Sequence, residues 1–294
     1  MSELTGILGY QALTDGVGRT LVTQDLVRAE GPDSITFLHS QLSQDIVAME
    51  VGAERLSFLL QPQGRFVAVL RVERVGDDAV HLWVDPGYGQ AVRDALNRFK
   101  IRTKCELSVE TVHRWAVRGA LAERLGVWPT WPGFEVDEAT EQPDVPIVSP
   151  AVFEAVRIER GVVRNGYEVL EKTLPAETGL VELAVNFKKG CYVGQELVER
   201  IDARGHVNRH LRGIDVAAIP DGVEAGALAG ATLRSGAATV GHVTSAALRP
   251  DRAGVVALGY LRREIEIGST VTLTVVADDV TSRQGEITGV VRAL

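Results

Sequence analysis

The chain has 294 residues and a mass of 31.7 kDa, is 45% hydrophobic and 24% charged, and carries a net charge of −8. That composition excludes a disordered, collagen-like or disulfide-stapled chain, and the acidic balance argues against a broad basic nucleic-acid face while leaving room for a small basic pocket. Its two cysteines, Cys105 and Cys191, suit a reducing compartment; with no signal-peptide pattern at the start and no apolar run near the ~20 residues of a membrane span, a cytoplasmic protein is expected.

In chain order, Ile35, Leu38, Leu42 and Ile46 recur at spacings of three and four, so a helix is predicted over 33–46 with Asp33 or Ser34 at its start. Residues 55–61 and 65–75 read as strands. Pro62 and Gly64 in the link between them supply turn chemistry, and a hairpin is predicted. Asp85-Pro86 opens a predicted helix to about Lys100, with Tyr88, Val92, Ala95, Leu96 and Phe99 as its apolar stripe. Ile101, Thr103, Cys105, Leu107 and Val109 then share one face of an expected strand. Residues 129–150 hold five prolines, five acids and no Lys or Arg, and read as an exposed connector without regular structure. A helix is expected over about 150–160, ending at Gly161. Beyond about 207, short β-runs between glycines (TLRSG, TVGHVTSAAL, GVVALGYL, STVTLTVV and GEITGVV) predict a small sandwich or barrel.

Cys191 stands in Lys188-Lys189-Gly190-Cys191-Tyr192-Val193-Gly194-Gln195-Glu196. Two glycines let the backbone turn around the thiol, two lysines precede it, and a helix predicted from Gln195 places it just ahead of a helix N-terminus. These features favour a thiolate. The competing reading is a small buried hydrophobe, which is the expectation for Cys105 on its apolar strand face. Glu159, at the end of its helix, pairs with a neighbouring Arg on one reading and keeps its oxygens for a ligand bearing N–H groups on the other. Arg200, Arg204, Arg209 and Arg212 form either a solvated rim or a pocket for an anionic tail or RNA phosphates. Two cysteines cannot build a four-thiolate site, and His206 and His210 sit in a basic loop with no Glu partner, so no permanent metal is expected.

KGCYVGQE resembles the signature of the YgfZ-type folate-binding proteins, relatives of the glycine cleavage T-protein, an aminomethyltransferase. Three further blocks resemble that family in order: the segment from His39 to Val72, the segment from Arg157 to Leu180, and GHVNRHL with the glycine-punctuated β-runs after it. The resemblance implies an α+β fold: a T-protein-like folate-binding body of two lobes around a central cavity, over 1–205 with the connector near 129–150, and a C-terminal β-barrel over 206–294. It implies tetrahydrofolate or a derivative as cofactor. Glu159 matches the pterin-binding carboxylate, and Lys188 and Lys189, with Tyr192 and Gln195, stand near the folate. Cys191 is the functional thiol, engaged in redox chemistry or transient ligation. The implied role is support of iron–sulfur cluster assembly or repair, with tRNA-modifying iron–sulfur enzymes and cluster-assembly proteins as partners. One departure stands out. Where T-proteins carry an acidic pair after the turn glycine, this chain has Ala68 and Val69, which cannot act as acid or base. That argues against aminomethyl transfer, which remains the enzymatic alternative beside a non-catalytic folate-binding scaffold.

Overall fold

The computed structural model describes residues 3–124, 126–220, 222–251, 254–274 and 287–294. Its order is α1 (Gly6–Thr14), β1 (Gly18–Glu30), α2 (Ser34–Gln41), β2 (Glu54–Leu60), β3 (Phe66–Arg74), β4 (Ala79–Val84), α3 (Gly89–Asn97), β5 (Glu106–Arg118), β6 (Gly133–Asp137), α4 (Pro150–Glu159), α5 (Val181–Ala184), α6 (Gln195–Arg204), β7 (Arg209–Val216), β8 (Thr232–Ser235), β9 (Ala238–Leu248), β10 (Val255–Arg262), β11 (Thr270–Thr274) and β12 (Ile287–Arg292). The first six strands form one antiparallel sheet in the order β2-β3-β4-β1-β5-β6, and the last six close into a barrel in the order β10-β7-β12-β11-β8-β9. The expected mixed fold with a C-terminal barrel is therefore present.

Side chains on a strand alternate between faces, and that alternation sorts the sheet. Ala68, Leu70 and Val72 of β3, with Val80, Leu82 and Val84 of β4, pack under α2 and α3 in one core. Val69 and Arg71 of β3, Trp83 of β4 and Ala116 and Arg118 of β5 project to the opposite face, where α4 lies across the sheet and a cavity remains between them. Helix α4 starts cleanly: Pro150 sits in its first turn and the Ser149 hydroxyl accepts from the Val152 N–H. A second core joins Phe58, Phe66 and Val69 of the sheet, Ala155 and Ile158 of α4, and Leu211, Leu258 and Tyr260 of the barrel.

Several expectations need correction. The helix over 33–46 stops at Gln41, because Leu42 turns extended and bridges to Leu59; Ile46 is buried from the following turn. The helix from Asp85 begins only at Gly89. The Asp25 carboxylate takes the N–H groups of Gly87 and Gly89, at 2.8 and 2.9 Å, and holds the preceding residues as a turn. The strand predicted from Ile101 starts at Glu106: Ile101 is 78% exposed, while the strand runs on to Arg118 beside β1. The segment 129–150 is an irregular connector only in its second half. It contributes β6, with Trp131 and Glu135 buried, and its prolines are tolerated because β6 is an edge strand that Pro132 merely precedes. In the barrel, residues 275–276 and 285–286 of two predicted runs lie outside the described residues.

Candidate functional site

Two places gather chemistry, and they are separate. The first is the cavity of about 560 Å³ between the sheet and α4. Its size falls in the range of small-molecule sites. Trp128, Trp131 and Phe153 line it with aromatic surface, and Arg71, Arg118 and Glu135 line it with charge. Glu135 pairs with both Arg71 and Arg118, so its charge is committed. Burial, then the neighbouring Arg71 charge, lowers Arg118 to about 9. Glu154 is likewise engaged, with Arg157 at 2.8 Å and Arg164 at 3.5 Å.

Asp85, at the end of β4, is different. Its Oδ2 accepts from the Asn165 backbone N–H at 2.8 Å and the Asn165 side-chain amide at 2.9 Å, while Oδ1 has the Arg164 guanidinium only at 3.7 Å. Burial raises this carboxyl above its ordinary value, against the lowering effect of those contacts. Asn165 in turn stitches to β3, accepting from the Val69 N–H at 2.8 Å and donating to the Val69 carbonyl at 2.9 Å. Beside this carboxylate, Val69 gives the wall an aliphatic side chain, and Ala68 is buried in the opposite core.

The second place is the loop ahead of α6. Cys191 is exposed, whereas Cys105 is 1% exposed and packs in the core under α2 and α3. Gly194 adopts φ 83° and touches the β2–β3 turn, where Gly64 has φ 75°. A Cβ on Gly194 would meet the Gln61 carbonyl at 2.6 Å, and one on Gly64 would meet Leu197 at 2.5 Å, so this close approach requires both glycines. The Gln195 side-chain oxygen takes the Tyr192 N–H at 3.0 Å and shapes the loop from the helix side. Tyr192 is buried beside Phe58 and Val69. Lys188 is exposed, and its N–H donates to the Asn186 side chain at 2.8 Å. The Lys189 ammonium is directed onto backbone carbonyls at the end of α2.

Glu159 lies in neither place. Its carboxylate accepts from the Tyr10 hydroxyl at 2.7 Å and from Arg249 of the segment after β9 at 2.8 Å. Cys191, Lys188, Lys189, Tyr192 and Gln195 thus share one loop, and none of them, nor Glu159, lines the cavity. Sequence reasoning passed over Asp85, Asn165, Arg71, Arg118 and Glu135. Asp85-Pro86 signalled only a helix start, and nothing local marks Glu135 among the acids of its segment. Among the described residues no cluster of His, Cys, Asp and Glu suits a metal ion, and no helix is long and apolar enough to cross a membrane.

The fold is that of the glycine cleavage T-proteins: superposition on the system's aminomethyltransferase T from Bartonella henselae gives a TM-score of 0.79 at 19% identity, covering 98% of this chain and 88% of that one. Among curated proteins the chain is similar to iron–sulfur cluster assembly factors. It is 27% identical over 229 residues to the mitochondrial iron-sulfur cluster assembly factor IBA57 homolog of Phaeosphaeria nodorum, covering 68% of this chain and 55% of the relative. The corresponding protein of Mycosarcoma maydis is 26% identical over 216 residues, with coverage of 63% and 54%. An uncharacterized protein of Haemophilus influenzae is 26% identical over 196 residues, with coverage of 63% and 69%. The chain spans about half the length of the two IBA57 homologs. No protein-family model matches it.

Proposed function

We propose that this chain supports iron–sulfur cluster assembly or repair, with Cys191 lending one thiolate to a cluster in transit. The observation that carries the reading is the exposed thiol in KGCYVGQE, in a chain similar to proteins named as iron–sulfur cluster assembly factors. One thiolate cannot hold a cluster, which takes four ligands. The remaining ligands come from a cluster-assembly protein, a client enzyme or small thiols, and tRNA-modifying iron–sulfur enzymes in the cytoplasm are the proposed clients. The test compares Cys191→Ala with Cys105→Ala in cells lacking the chain, reading the activity of iron–sulfur enzymes. Full rescue by Cys105→Ala and none by Cys191→Ala is expected; equal rescue by both removes the thiol from the account.

A reduced folate is the proposed cavity ligand, and the residues present fit a flat heterocycle bearing N–H groups: aromatic side chains and a half-buried carboxylate, Asp85, which has an oxygen to offer, line the same cavity. Such a cofactor supplies one-carbon or reducing chemistry when bound. The same carboxylate is the one observation favouring the rival reading, aminomethyl transfer, because it places an acid in the cavity where Val69 has none to give. Ammonia release from an aminomethyl-lipoyl carrier in the presence of tetrahydrofolate, abolished by Asp85→Asn, would establish that rival.

A further inference from the structure

The segment that presents Cys191 has little regular structure of its own, since α5 ends at Ala184 and α6 begins at Gln195. Its order comes from elsewhere. The Asn186 N–H donates to the Ser43 carbonyl at 3.0 Å, the Ser43 hydroxyl donates to the Ala184 carbonyl at 2.6 Å, and the Gln44 side chain donates to the Leu183 carbonyl at 3.2 Å. All three bonds meet the turn that follows α2. They stop at Asn186, five residues short of Cys191. Beyond that point Tyr192 packs into the core and Gly194 meets the β2–β3 turn, and one side chain continues the attachment to α2. The Lys189 ammonium donates to the carbonyls of His39, Leu42 at 2.6 Å and Gln44 at 3.1 Å, carbonyls that the end of α2 leaves without helical partners. A cation there also meets the negative end of the helix dipole. Its position is confined further by the Tyr192 ring, 5.4 Å from Nζ.

We propose that Lys189 is a positioning residue, a tether from the Cys191 loop to the C-terminal end of α2 that sets where the thiol is presented. This rests on the reading of Cys191 as the functional thiol, but its geometry can be tested without that reading. An ammonium has three protons, and three carbonyls receive them, which a surface lysine does not achieve and which leaves no donor for a ligand in the cavity. Lys188, one residue earlier, has no such bonds and remains exposed, so the tether belongs to one lysine of the pair.

The experiment attaches a nitroxide label to Cys191, the exposed thiol, Cys105 being sealed in the core, and compares the full-length chain with its Lys189→Met, Lys189→Arg and Lys188→Met variants. Spin-label line shape reports motion of the loop, and deuterium exchange over 185–193 reports its opening. Lys189→Met is expected to mobilise the label and raise exchange in this segment by about tenfold or more, the effect of losing a bond network worth at least ~1.4 kcal/mol. Exchange in β1 and β5 is expected to stay unchanged. Lys189→Arg, which keeps charge and donors, restores much of the order, and Lys188→Met has no effect. An unchanged line shape and exchange in Lys189→Met overturns the proposal. So does exchange raised uniformly through the chain, which would make Lys189 an ordinary stability residue. Activity of iron–sulfur enzymes in cells carrying Cys191→Ser separates the two claims. Full activity there with a mobilised loop in Lys189→Met removes the thiol reading and leaves the tether standing, and the converse pattern does the opposite.

Discussion

A carboxylate in a protein interior is informative when its oxygens are not all spoken for. Glu135 and Glu154 are bound to guanidinium groups, and Glu159 is bound to Tyr10 and Arg249. Asp85 is held in place through one oxygen by Asn165 and has only a distant guanidinium at the other. A ligand's N–H groups would meet Asp85 rather than Glu159. Asp85→Asn is therefore expected to weaken tetrahydrofolate binding by ~1–3 kcal/mol, the worth of a charge-assisted hydrogen bond, while Glu159→Gln leaves binding unchanged. Isothermal calorimetry decides it, and a loss confined to Glu159→Gln would reverse the assignment. The resemblance marks Glu159, and the competing ion-pair reading looks to a neighbouring Arg, because the actual partners, Tyr10 and Arg249, lie 149 and 90 residues away along the chain. Cys191 and Cys105 were separable by their neighbours alone: a polar, glycine-bounded segment for one and an alternating apolar face for the other.

Elements were legible where the local pattern is decided locally. The β2–β3 hairpin, α4 with its Gly161 stop, and the glycine-punctuated β-runs follow from turn and cap chemistry that needs no distant partner. Boundaries failed where a distant partner intervenes. Asp25 on β1 claims the N–H groups ahead of α3 and shortens it at the start. Strand β6 exists because β5 offers it an open edge and Arg118 receives Glu135, and neither fact is visible in a proline-rich acidic stretch. At α2 the apolar stripe runs on past the helix: Leu42 and Ile46 are buried as the pattern requires, but on turns rather than on a helical face. That early stop is what exposes the carbonyls to which Lys189 reaches.

Across the whole molecule, α4 is the hinge pin between sheet and barrel. Arg157 donates to Glu154, to Glu168 at 3.1 Å and to Ser245 of β9 at 3.1 Å, and Glu168, fully buried, also takes the Thr244 hydroxyl at 2.9 Å. Removing Glu168 leaves the buried Arg157 with Glu154 as its remaining carboxylate and takes the acceptor from the Thr244 and Ser245 hydroxyls, and breaking a buried pair is costly. Glu168→Ala is accordingly expected to lower global stability by ~3–5 kcal/mol in urea unfolding, whereas Glu168→Gln, which keeps acceptor capacity, costs less. A change below ~1 kcal/mol for Glu168→Ala would mean that the barrel is held by its apolar contacts alone. The same pin keeps the cavity wall in place, since Arg157 and Glu154 face it from α4.

The account turns on the exposed thiol of Cys191. Its most direct test is anaerobic incubation of the chain with ferrous iron, sulfide and glutathione, followed by desalting and measurement of iron per chain for the unaltered protein, Cys191→Ser and Cys105→Ser. The account predicts that iron is retained by the unaltered chain and by Cys105→Ser and is lost from Cys191→Ser; equal retention by all three would contradict it.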